Sequence, residues 1–223
     1  MVSRTQYLGE LSQIRENLKQ MGEKTVTALE EALSALVGLN AEAAANTRRL
    51  EKEIDAMYKQ IDDQCVACIA TQQPMASDLR FLVATMKIAS EVERIGDYAN
   101  NIAKMVQRKF TKCDMAPLES LHEKVSLMMR EGMGMLGDAI RAYSANDGAL
   151  ALTVLERDVM VNKINRDLYR GILAAATVNP WLQETALDFH TAVRYIERVA
   201  DRATNVAEWV SYIVTGYRVN ERD

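Results

Sequence analysis

Two acidic pairs have types and spacing that could do chemistry: Glu93 with Asp97, and Glu197 with Asp201. Each pair is spaced by four residues, one helical turn, so on a helix the two carboxylates point the same way and repel one another. Something must offset that repulsion. A hairpin of two helices turning near Pro74 brings Asp55 level with Glu93 and Glu51 level with Asp97. A second hairpin turning at Asn179 and Pro180 sets Asn162 level with Glu197 and Asp158 level with Asp201. The first patch then holds four carboxylates, and the second three carboxylates and one carboxamide. With no His or Cys nearby, such sets are hard oxygen donors suited to Mg, Ca, Mn or ferric iron, and each could hold more than one ion. The plainer reading is a solvated acidic face neutralised by Arg94 or Arg198.

The elements that must position these side chains are long helices. The three prolines, Pro74, Pro117 and Pro180, fall near the breaks between helical periods, and apolar periodicity predicts helices over 5–38, 41–72, 77–109, 117–144, 147–177 and 180–215. Asn40 and Asp147 are candidate N-caps, and Pro180 suits the first position of the last helix. Ile88, Val92, Ile95, Ala99, Ile102 and Val106 form one apolar stripe at about 100° per residue, with Glu93, Asp97 and Asn101 on the opposite side. The acidic row runs upstream into apolar Leu79, Val83 and Met86, a second contact face. The last helix repeats the scheme, with Ile196, Val199, Ala203, Val206 and Val210 in the stripe and Glu197, Asp201 and Asn205 facing away.

The halves read as copies. Residues 93–103 and 197–207 are identical at six of eleven positions, and at a slightly different offset Asn40 meets Asp147, Glu51 meets Asp158, Ile54 meets Val161 and Asp55 meets Asn162. Internal duplication of this kind predicts an all-α chain of two tandem three-helix bundles, residues 1–112 and 113–223.

Composition agrees with that fold and excludes several function classes. The chain has 223 residues, 48% of them hydrophobic and 26% charged, with only ten Gly and three Pro. Helix formers dominate and intrinsic disorder is excluded. A net charge of −4, with no run of four basic residues, offers nucleic acid little purchase. No apolar leader and no span of the length a membrane requires are evident, so a cytoplasmic protein, peripheral to a membrane at most, is expected. Cys65, Cys68 and Cys113 are too few for a disulfide framework. Cys65 and Cys68 have C-x-x-C spacing inside an apolar run without a second pair, and read as buried helix residues.

Candidates for enzymatic chemistry are sparse. Two-iron helical bundles combine Glu pairs with Glu-x-x-His, and Glu119 to His122 has that spacing. It lacks a second copy and is not level with either acidic patch, so His122 reads as a surface or capping residue. His190 lies two turns from Glu197, roughly 10 Å along the axis, and reads as a packed or hydrogen-bonded residue. Met128, Met129, Met133 and Met135 read as core filler. No phosphate loop, nucleophile elbow or triad pattern is present.

The segment Glu93-Arg94-Ile95-Gly96-Asp97, its variant at 197–201, and Gln73–Val83 ahead of the first copy together resemble the PhoU family of bacterial phosphate-signalling regulators, with its E(D)xxxD signature occurring twice per chain. The likeness runs over about residues 5–215. It implies two three-helix bundles, usually dimeric and without catalytic activity. It also implies a cytoplasmic regulator that couples a phosphate-specific ABC transporter to a sensor histidine kinase and represses the phosphate-starvation response. Iron, zinc, manganese or magnesium ions would then be held by Glu51, Asp55, Glu93 and Asp97, and by Asp158, Asn162, Glu197 and Asp201. Asn162 departs from the all-carboxylate pattern. Asn101 and Asn205 would support the acids. Two other readings stand beside this one: a carboxylate-metal bundle enzyme, and a metal-free helical scaffold for a protein partner.

Overall fold

A computed structural model describes residues 4–217. Six long helices account for nearly all of it: α1 (Arg4–Gly38), α2 (Ala41–Gln72), α3 (Ser77–Arg108), α4 (His122–Ala145), α5 (Gly148–Val178) and α6 (Gln183–Thr215). No strand occurs among the described residues. Both predicted caps form. The Asn40 side chain accepts from the backbone N–H groups of Glu42 and Ala43, at 2.9 and 3.1 Å, and the Asp147 side chain accepts from Leu150 at 3.0 Å. Each satisfies donors that the first helical turn leaves without intrahelical acceptors.

The two proline-led starts differ from expectation. Pro117 and Pro180 sit in short 3₁₀ segments, Ala116–Leu121 and Pro180–Leu182, and the α-helices begin only at His122 and Gln183. Proline supplies a helical φ at no cost in donors, but it does not by itself select the wider α turn.

Packing follows the repeat. α1, α2 and α3 pack against one another, as do α4, α5 and α6, giving the tandem three-helix arrangement. The stripe of α3 from Ile88 to Val106 and that of α6 from Ile196 to Val210 are fully buried, as periodicity predicts. The second contact face does not close, because Leu79 and Val83 remain 39% exposed and only Met86 of that row packs against the core. Met128, Met129 and Met135 are buried core residues, and Cys65 and Cys68 are buried and free.

The repeats do not stand apart. α3 packs along α6, α1 packs on α4, and one hydrophobic core runs through both halves. Tyr143 of α4 is fully buried, its hydroxyl 2.8 Å from that of Thr85 on α3, while its ring stacks on Phe81. Arg15 of α1 covers the Phe81 ring and donates to the Tyr143 carbonyl at 2.7 Å. On the α3–α6 seam, Arg202 donates to Glu91 at 2.9 Å and Tyr98 stacks on Tyr195. These two contacts are related by the duplication, because Glu91 occupies the place of Tyr195 and Tyr98 that of Arg202.

Candidate metal centre

The first acidic patch forms where α2 and α3 lie side by side. Glu93 feels Asp97, Asp55 and Glu51 electrostatically. Burial is the largest influence on Glu93 and pushes its carboxyl above the usual range, and Asp97 adds to the rise; Arg94 opposes it, while Asp55 and Glu51 reinforce it. Close packing behind the patch comes from Gly96, where an added Cβ would lie 3.3 Å from Ile54 of α2. Basic residues partly neutralise the acids. Lys59 donates to Asp55 at 2.8 Å, and Arg94 lies 3.9 Å from Glu93 and 3.8 Å from Asp97.

The second patch, between α5 and α6, is held differently. Burial, then Glu197 and Asp158, push the Asp201 carboxyl up, against the pull of Arg198 and Arg202. Glu197 and Asp158 are thus close enough to Asp201 to act on its charge. Asn162 makes no hydrogen bond to Glu197; its Nδ2 donates to Asp158 at 2.6 Å, one turn back on the same helix. The residue that reaches Glu197 is Asn165, whose Nδ2 donates at 2.6 Å. Sequence reasoning missed Asn165 because its counterpart in the first repeat is Tyr58, so the duplication carries no cue. The available signal was local: Asp158, Asn162 and Asn165 share one face of a helix.

Asn205 supports an acid, but not one of this patch. Its Nδ2 lies 3.3 Å from Glu91, across the α3–α6 seam. His122 takes a capping position, closing the 3₁₀ segment with its backbone N–H on the Glu119 carbonyl. It is half-buried against Phe189, its Nε2 is buried without a hydrogen-bond partner, and burial lowers its pKa. His190 packs edge-on to Tyr169, as a packed histidine should.

All eight candidate ligands offer oxygen, and two observations suit a hard cation. Glu93 and Asp201 are desolvated among like charges, and the buried Oδ1 of Asp158 has no hydrogen-bond partner. The donor set fits in kind. As placed, no three His, Cys, Asp or Glu side chains among the described residues close around a common point at ligating distance.

The family model described as the PhoU domain matches this chain twice, over residues 18–106 and 125–210. The chain belongs to the PhoU family. Each match takes in one hairpin and its acidic patch. Among its relatives, the phosphate-specific transport system accessory protein PhoU homolog of Zymomonas mobilis is 34% identical, covering 96% of this chain and 88% of the relative. The homolog of Pseudomonas aeruginosa is 30% identical, over 95% and 86%. The crystal structure of PhoU from Pseudomonas aeruginosa superposes with a TM-score of 0.84 at 28% identity, covering 95% of this chain and all of that one. The phosphate transport system regulatory protein PhoU from Streptococcus pneumoniae has the same fold, with a TM-score of 0.83 at 24% identity over 96% and 99%. No helix among the described residues is long and apolar enough to cross a membrane.

Proposed function

We propose that this protein is a non-enzymatic regulator of phosphate uptake and phosphate-starvation signalling, acting at the cytoplasmic face of a phosphate-specific ABC transporter and coupling it to a sensor histidine kinase. The supporting observation is the double PhoU-domain match across both repeats, joined to relatives named as transport-system accessory proteins that match nearly all of this chain. The chain's shape suits coupling. The two repeats share one core, so a conformation preferred by one partner would be felt by the other through differential binding. Co-purification from phosphate-rich and phosphate-starved cells tests this. Recovery of transporter and kinase, with proportions that change with phosphate status, is expected; absence of both partners would sink the proposal.

The acidic patches are read as cation sites, one in each of the repeats 1–112 and 113–223. Glu51, Asp55, Glu93 and Asp97 would hold iron, zinc, manganese or magnesium in the first, and Asp158, Asn162, Glu197 and Asp201 in the second. A bound cation supplies positive charge that relieves carboxylate repulsion. Among this chain's own residues, Lys59 and Arg94 do part of that work in the first patch, and Asn162 and Asn165 orient the acids in the second. Thermal melting with and without each ion is the test. Stabilisation that disappears in Glu93→Ala with Asp97→Ala is expected.

A second reading, a metal-free scaffold, is favoured by Lys59 on Asp55 and by the lack of three acids converging as placed. It predicts that no di- or trivalent ion shifts the melting temperature. It also predicts that the double alanine variant keeps both partner binding and repression. Dimerisation, which the family likeness suggests, is checked by sedimentation of the full chain.

A further inference from the structure

Beside the second acidic patch the charge changes sign. A cleft of about 450 Å³ opens between α5 and α6, lined by Asn165, Arg166, Tyr169, Arg170, His190 and Arg194. In a chain of net charge −4, three guanidinium groups in one cleft are not a random sample of the surface. Nor are they matched by acids. Arg166 has no acidic partner among the described residues, Arg170 reaches Asp167 only at 4.0 Å, and Arg194 reaches Glu197 only at 4.0 Å. Pairs this loose and exposed contribute little to stability, so the cluster is not explained as scaffolding.

The duplication supplies an internal comparison. The positions equivalent to Arg166, Tyr169 and Arg170 are Lys59, Asp62 and Asp63, and those equivalent to His190 and Arg194 are Met86 and Ser90. The first repeat therefore keeps the same helical hairpin without the cationic cleft. The hairpin itself thus does not require the residues of this cleft.

We propose that this cleft binds a phosphoryl oxyanion, either free inorganic phosphate or the phosphate of a small phosphate ester. Guanidinium forks match tetrahedral oxyanions in charge and in donor geometry. An ordinary anion would need only donors. Asn165, however, holds a buried Oδ1 without a hydrogen-bond partner beside the Glu197 carboxylate, and both are acceptors. Hydrogen phosphate carries a P–OH that acceptors can take, and sulfate at the same charge does not. A neighbouring apolar groove of about 190 Å³ shares Tyr169 and His190 with the cleft and continues along Ile172, Leu173 and Leu187, giving room for the organic part of an ester.

Titration calorimetry on the full chain with inorganic phosphate, phenyl phosphate and sulfate decides the matter. One saturable site is expected for phosphate or phenyl phosphate, with sulfate weaker. Tighter phosphate assigns the free ion, and tighter phenyl phosphate assigns an ester. Arg166→Gln with Arg170→Gln should weaken binding by about tenfold or more without moving the melting temperature. Arg194→Gln should weaken it in the same direction. A charge-matched control, Lys87→Gln with Arg130→Gln, should change affinity by less than about twofold. Absence of a saturable site, sulfate binding equal to both phosphates, or equal losses in the cleft variant and the control would each overturn the proposal.

Discussion

Burial and the neighbouring carboxylates Asp97, Asp55 and Glu51 favour the protonated form of Glu93, with Arg94 as the opposing influence. The folded chain therefore binds that proton more tightly than the unfolded chain does. The stability this group contributes is fully present below the ordinary glutamate pKa and is lost as pH rises through the raised folded value. Glu93→Gln removes the loss, so its melting temperature should exceed the parent's at pH 7, and the gap should close on acidification towards about pH 4. Asp201→Asn should behave in the same direction, because burial, Glu197 and Asp158 raise that carboxyl too. A lower melting temperature for Glu93→Gln at pH 7 would mean that a favourable partner holds the ionised acid. The acids themselves were legible in the sequence because Glu93 and Asp97 repeat as Glu197 and Asp201 and because a hairpin fixes what lies opposite them. The bonds that hold the acids were not, even where the residue was, as with Asn162. Lys59, Asn162 and Asn165 act through rotamer-level hydrogen bonds, and helix periodicity gives the face a side chain occupies without giving its reach.

Helix limits were legible wherever a side chain defines them. Asn40 and Asp147 cap α2 and α5 through hydrogen bonds to the first turn, so Asn40→Ala and Asp147→Ala should each cost about 1 kcal/mol. For a chain of this size that lowers the melting temperature by about 2–4 °C, measurable by calorimetry. The starts after Pro117 and Pro180 were misread for the reason that proline's fixed φ serves a 3₁₀ turn as well as an α turn. Close approach of helices was also hidden. Gly22 of α1 lies so near Ile140 of α4 that an added Cβ would come within 2.6 Å of that side chain. Gly22→Val should therefore destabilise by about 1–3 kcal/mol through overpacking, whereas the same change at Gly137, with nothing near its Cβ position, should show no such overpacking cost. Equal losses at both sites would point to helix propensity rather than to contact between the repeats.

At the scale of the whole molecule, the duplication generates its own interface. Pairing α3 with α6 by a twofold-like relation puts Glu91 against Arg202 and, at the related position, Tyr98 against Tyr195. One of these contacts has become ionic and the other aromatic, so the seam is symmetric in place and asymmetric in chemistry. Glu91 is only 18% exposed at its side chain, and Asn205 also reaches it. Removing Arg202 would leave that carboxylate desolvated with one weak donor, and a partly buried charge so treated costs about 1–3 kcal/mol. Glu91→Gln with Arg202→Gln should cost less than the separate losses added together, with a coupling of about 0.5–3 kcal/mol in a double-mutant cycle. Because the core is continuous through α1, α3, α4 and α6, weakening this seam has to weaken both repeats. Denaturant unfolding of Arg202→Gln should therefore remain one transition, shifted to lower denaturant, by fluorescence of the two tryptophans, both in the second repeat, and by helical circular dichroism alike. If the two signals separate, with tryptophan fluorescence changing at one concentration and part of the helix at another, the repeats fold as independent bundles and rigid coupling between them is lost.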